Sequence, residues 1–63
     1  MADIIWELPF CAESSDCFRL GTDSQGKAYI AVAGQEHLSI SDSREALATM
    51  IREIKAGKAD HLL

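Results

Sequence analysis

Asp42-Ser43-Arg44-Glu45-Ala46-Leu47-Ala48-Thr49-Met50-Ile51-Arg52-Glu53-Ile54-Lys55-Ala56-Gly57 is the stretch whose reading decides the fold. Asp42 to Glu45 reads as a capping box, with Asp42 at the N-cap and Glu45 at the third helical position. Leu47, Met50, Ile51 and Ile54 recur at i, i+3, i+4 and i+7, which sets all four on one face of a helix. Arg44, Glu45, Arg52 and Glu53 fall largely on the opposite, solvated side. Gly57 is a natural stop, and Lys55 and Lys58 complement the negative end of the helix dipole. The spacing predicts a helix over about 43–56.

Working outward, three short segments alternate as strands do. In Cys17-Phe18-Arg19-Leu20, Phe18 and Leu20 share one face and Arg19 takes the other. In Tyr29-Ile30-Ala31-Val32-Ala33, Ile30 and Val32 face one way. Asp23-Ser24-Gln25-Gly26-Lys27 between them is turn chemistry, so the pair reads as an antiparallel hairpin. Leu38-Ser39-Ile40-Ser41 gives a third strand after a turn around Gly34-Gln35-Glu36, and runs into the helix cap. Residues 11–16 read as a loop. Ile4, Ile5, Trp6, Leu8 and Phe10 are too apolar for a free tail. Pro9 has no amide to donate, so a strand here lies at an edge or stops before it.

The fold class expected is α+β: a small three- to four-stranded antiparallel meander packed against one C-terminal helix, in a single domain over 1–63. Each element has one apolar face to bury, so the helix is expected to lie across the sheet in two layers. The core would be Phe18, Leu20, Ile30, Val32, Leu38, Ile40, Leu47, Met50, Ile51 and Ile54, with Trp6 closing one edge. In so short a chain, apolar burial only just matches the entropy cost of ordering. Further burial is expected, from a homodimer or from a partner covering the Ile4–Phe10 surface.

Composition excludes several classes. The 63 residues are 48% hydrophobic and 25% charged, which is a folded chain and not a disordered tail or disulfide-dense scaffold. The net charge of −4 arises within residues 1–26, where Asp3, Glu7, Glu13, Asp16 and Asp23 face Arg19 alone. Residues 27–63 balance. An acidic, unclustered chain lacks the basic footprint of direct nucleic-acid binding, while a basic protein partner remains allowed. No apolar run approaches the ~20 residues needed to span a bilayer. No secretory signal precedes Cys11 and Cys17, so a cytoplasmic location is expected, with Cys17 a small buried apolar residue and Cys11 a free thiol.

Cys11, Cys17, His37 and His61 do not have the spacing of structural zinc, and no metal is expected. Ser14, Ser15, Ser24, Ser39, Ser41 and Ser43 are nucleophiles by type, but none sits in an elbow motif, and Ser41 and Ser43 read as strand-end and cap residues. Gly21, Gly26, Gly34 and Gly57 form no phosphate-binding loop. No enzyme activity and no cofactor are expected. The remaining candidate is a partner-binding patch of Ile4, Ile5, Trp6, Leu8 and Phe10. Trp6 stays open between two roles, an interface anchor or part of the core.

Trp6, Cys17-Phe18-Arg19-Leu20, Ile30-Ala31-Val32, Leu38-Ser39-Ile40-Ser41 and Ile54-Lys55-Ala56-Gly57-Lys58-Ala59-Asp60 occur in an order that resembles the small actinobacterial family called domain of unknown function 397. The last stretch is the most specific. The chain departs from that pattern at Ala33-Gly34-Gln35, where the family carries Arg-Asp-Ser. The resemblance implies a regulatory protein acting with an Xre-type helix-turn-helix regulator, in a toxin–antitoxin-like pair. It implies no catalytic residues. The function expected is therefore a non-enzymatic protein that binds such a regulator. The alternatives are a toxic effector acting on another target, and an acidic inhibitor that mimics nucleic acid.

Overall fold

The computed structural model describes residues 3–11 and 17–63. Residues 12–16, most of the expected loop, with Glu13, Ser14, Ser15 and Asp16, lie outside the described residues. Four strands, β1 (Ile5–Trp6), β2 (Phe18–Thr22), β3 (Lys27–Val32) and β4 (Ile40–Ser43), form one antiparallel sheet in the order β1-β2-β3-β4. One helix, α1 (Arg44–Lys55), follows. This is the α+β meander with a helix near the C-terminus that the alternating segments and the apolar stripe imply.

The register follows from the alternation. Phe18 pairs with Val32, Leu20 with Ile30, and Ile30 in turn with Ile40. Directly opposed residues share a face, so Ile5, Phe18, Leu20, Ile30, Val32 and Ile40 all lie on one side. Trp6, Arg19, Gly21, Tyr29 and Ser41 lie on the other, through the pairs Trp6–Gly21, Gly21–Tyr29 and Tyr29–Ser41. The β2–β3 turn carries Gly26 at φ 82°, a conformation that costs glycine nothing. β1 ends at Trp6, short of Pro9, and is an edge strand, as the missing amide of proline requires.

Three expectations are corrected. The N-cap is Ser43, whose Oγ accepts from the Ala46 amide at 3.1 Å. Asp42 is one residue too early: it is still in β4, and its Oδ1 accepts from the Ser43 amide at 2.7 Å. Leu38 is not in a strand. Glu36–Leu38 form a single 3-10 turn, which delays β4 to Ile40. The helix ends as expected, with Gly57 at φ 95°. The Gly57 amide reaches the Ile54 carbonyl and the Lys58 amide reaches the Glu53 carbonyl, the paired bonds of a Schellman cap.

The third correction concerns the core. α1 packs against β4 and β3 but does not cover the sheet. Ser43 both ends β4 and caps α1, and the Arg44 amide is held by the Gly26 carbonyl at 3.0 Å. With no loop between them, the helix leaves from a corner of the sheet. Phe18, Leu38 and Ile40 consequently remain 66–68% exposed, and Met50, Ile51 and Ile54 are exposed on the helix. Leu20, Ile30, Val32 and Leu47 are half-buried. Among the described residues, the buried hydrophobic side chains are Cys17, Ala28 and Ala31, and no large side chain is fully buried.

Trp6 is seated on the opposite side of the sheet. A Cβ placed on Gly21 would lie 2.7 Å from Trp6 Cε3 and 2.9 Å from Ile4 Cγ2. The bare glycine is what lets both side chains lie flat on β2. The indole also meets the Tyr29 ring, with centroids 6.3 Å apart, in the tilted arrangement aromatic pairs favour. Gly21→Ala is therefore expected to lift Trp6 and Ile4 and to destabilise the fold by about 1–3 kcal/mol. Thermal melting and the emission maximum of the single tryptophan report it together: a lower midpoint with a red-shifted maximum is the expected result, and an unchanged maximum would mean Trp6 does not depend on that seat.

Candidate interaction surface

The two faces of the sheet differ in chemistry. The Trp6 face is closed by polar locks. Asp23 is buried, at 6% exposure, and accepts three hydrogen bonds. Its Oδ1 takes the Gln25 and Lys27 amides at 2.9 and 3.0 Å, and its Oδ2 takes the Tyr29 hydroxyl at 2.6 Å. The Tyr29 hydroxyl, then the two backbone amides, holds the carboxyl below the usual aspartate pKa, while burial opposes them. The same bond raises the Tyr29 pKa, since the phenol donates to a carboxylate. Arg19 ties the edge down: its Nε donates to the Glu7 carbonyl at 2.8 Å and its Nη1 to Glu36 Oε2 at 3.1 Å. The Glu36 carboxyl is held low by its own amide first, then by the Gly34 amide and Arg19. These groups hold the hairpin and the β3–β4 connection in shape.

The opposite face is apolar and open. Ala28, Ile30 and Ile40 of the sheet and Ala46, Leu47 and Met50 of α1 line a groove of about 300 Å³. A second hollow runs on along the helix past Met50, Ile54 and Ala59.

The expected partner-binding set divides between the two faces. Ile5, Leu8 and Phe10 are 66%, 85% and 64% exposed. Ile4 and Trp6 are half-buried against Gly21 on the other side. Trp6 thus has the surroundings of a core residue. The groove between Ile40 and Met50 was not legible as a surface, because the same hydrophobic spacing describes a stripe that is covered and one that is not.

The cysteines also differ from expectation. Cys11 and Cys17 are joined in a disulfide, so neither is a free thiol. The backbone explains the pairing. The Phe10 amide bonds the Phe18 carbonyl at 2.9 Å, which brings the chain at Cys11 alongside Cys17 with Cα atoms 4.7 Å apart, a separation a disulfide can bridge. Five intervening residues gave no sign of this, because the pairing depends on the meeting of Phe10 with Phe18.

His37 and His61 are both exposed. Among the described residues no group of three or more His, Cys, Asp or Glu side chains is placed to hold a metal ion, and no helix is long and apolar enough to cross a membrane. Compared with protein-family models, with curated proteins and with solved structures, the chain matches none.

The Asp23 lock fixes the response to pH. A carboxyl whose folded pKa is depressed contributes stability that is complete above its unfolded pKa and is lost as pH falls through the folded value. Tyr29, with a raised folded pKa, contributes below its unfolded pKa and loses that contribution as pH rises through the folded value. Melting temperature is expected to fall in acid, below the ordinary aspartate range, and again in alkali, above the ordinary tyrosine range. Asp23→Asn should lower the midpoint at pH 7 and flatten the acid limb. A variant whose pH profile runs parallel to wild type would show that the Asp23–Tyr29 bond does not set the limb.

Proposed function

We propose that this chain is a non-enzymatic regulatory protein that binds and modulates an Xre-type helix-turn-helix transcriptional regulator, as one member of a toxin–antitoxin-like pair. The observation that supports the reading is the outer edge of the sheet, where Ile5, Leu8 and Phe10 stand exposed on one short segment. Exposed aromatic and aliphatic side chains grouped in this way serve as anchors for protein partners. Asp3 and Glu7, both exposed, flank them and complement the basic surface of a DNA-binding protein, which favours encounter and register. Trp6 supports the segment from behind.

The reading places the protein in the cytoplasm. There glutathione and thioredoxin hold thiols reduced, so the Cys11–Cys17 bridge closes only under oxidation, and binding is to be measured in both states.

The test is molar mass by light scattering on a sizing column, with the chain mixed with an Xre-type helix-turn-helix regulator from the same genome, with and without dithiothreitol. A defined heterocomplex is expected. Leu8→Asp and Phe10→Asp should each weaken it at least tenfold, about 1.4 kcal/mol, while circular dichroism of the chain stays unchanged. Separate elution of the two proteins in both redox states would defeat the reading.

A further inference from the structure

We infer that the apolar face of the sheet and the stripe of α1 are the interface of a twofold-symmetric homodimer, in which the helix stripe of each copy fills the groove of the other. The groove lies at the β3–β4–α1 end of the face whose β1 edge carries Ile5 and Phe10, and the inference does not rest on the partner proposed above.

Area is the first argument. A folded monomer of 6.9 kDa exposes about 4,000 Å² by the usual scaling of surface with mass. This chain exposes 5142 Å². The excess is about 1,100 Å² per chain, shared by this face, the Ile5–Phe10 edge and the terminal Leu62 and Leu63, so a pair has at most about 2,200 Å² to bury, against the roughly 1,000 Å² that a specific interface needs. Its shape agrees: the radius of gyration is 12.4 Å, against about 11 Å for a globular domain of this length, and the shortest dimension is 16 Å.

The chemistry of the groove is the second argument. Its apolar lining is Ala28, Ile30, Ile40, Ala46, Leu47 and Met50; β4 adds Ser41, Ser43 and one charged residue, Asp42, which pairs with Ala28 and accepts from the Ser43 amide. Homodimer interfaces are of this kind, apolar at the centre and depleted of charge.

Shape is the third. Groove and ridge lie side by side on one surface: Ile30, Ile40 and Met50 line the groove, while Ile51 and Ile54 stand exposed on the helix beyond it. A surface that carries both parts is self-complementary under a twofold axis, so each copy fills and is filled. The association also supplies what the chain lacks alone, since no large side chain is fully buried among the described residues.

The test uses the whole chain by itself. Light scattering over a dilution series should give the mass of two chains of 6.9 kDa each, and the melting midpoint should rise with protein concentration. Ile40→Asp and Ile54→Asp, one on each side of the contact, should each weaken the association at least about thirtyfold. Glu45→Gln, on the outward side of α1, should leave the two-chain mass in place. If Ile40→Asp fails to fold, the wild-type dilution series still decides. A wild-type mass of one chain with a midpoint independent of concentration would overturn the proposal. So would a two-chain mass that survives both aspartate substitutions, because the copies would then meet elsewhere.

Discussion

Ser43 is the residue on which the arrangement turns. It is the last residue of β4 and the N-cap of α1, so a strand edge and a helix start share one point. The Arg44 amide bonded to the Gly26 carbonyl pins that point to the β2–β3 turn. A longer connection would let the helix swing across the sheet and bury the apolar stripe in a second layer. Without one, the helix departs from a corner, and the sheet face is left partly bare. Groove, ridge and thin outline all descend from this junction.

The two faces of the sheet then carry different tasks. One is fastened by directional bonds: Asp23 gathers the hairpin turn and Tyr29, Arg19 bridges the strand edge to Glu36, and Gly21 provides the flat bed for Trp6. Such bonds hold geometry at modest net free energy. The other face holds the apolar area, whose free energy is released only when something covers it. A chain built this way has its shape specified on one side and most of its available stabilisation waiting on the other.

The elements were legible in the sequence where a period or a backbone requirement was strong. The stripe Leu47-Met50-Ile51-Ile54, the stop at Gly57, the hairpin around Gly26 and the edge position imposed by Pro9 all follow from local chemistry. Ser43 and Asp42 were harder to separate, because either side chain can cap and only the path of β4 decides between them. Leu38 was misplaced because Leu38 and Ile40 alternate like a strand, while the 3-10 turn Glu36–Leu38 takes Leu38 and starts β4 at Ile40. The uncovered face and the Cys11–Cys17 pairing were not legible, since both depend on how elements meet. Hydrophobic spacing says which side of a helix is apolar, and the length of the preceding loop says what that side can reach.

The small residues at the centre of the sheet have a consequence for how sequence change acts here. Ala28 and Ala31 are among the best buried side chains described, at 4% and 6% exposure, and Gly21 offers no side chain at all. In most domains the interior is mapped by removing bulk, and damage is greatest where large groups are deleted. Here the centre is already trimmed to the backbone, so truncation has little to take away. Tolerance is limited by what can be added: a methyl at Gly21 meets Trp6 and Ile4 at once. The interior of this protein is defined by excluded volume more than by contributed mass.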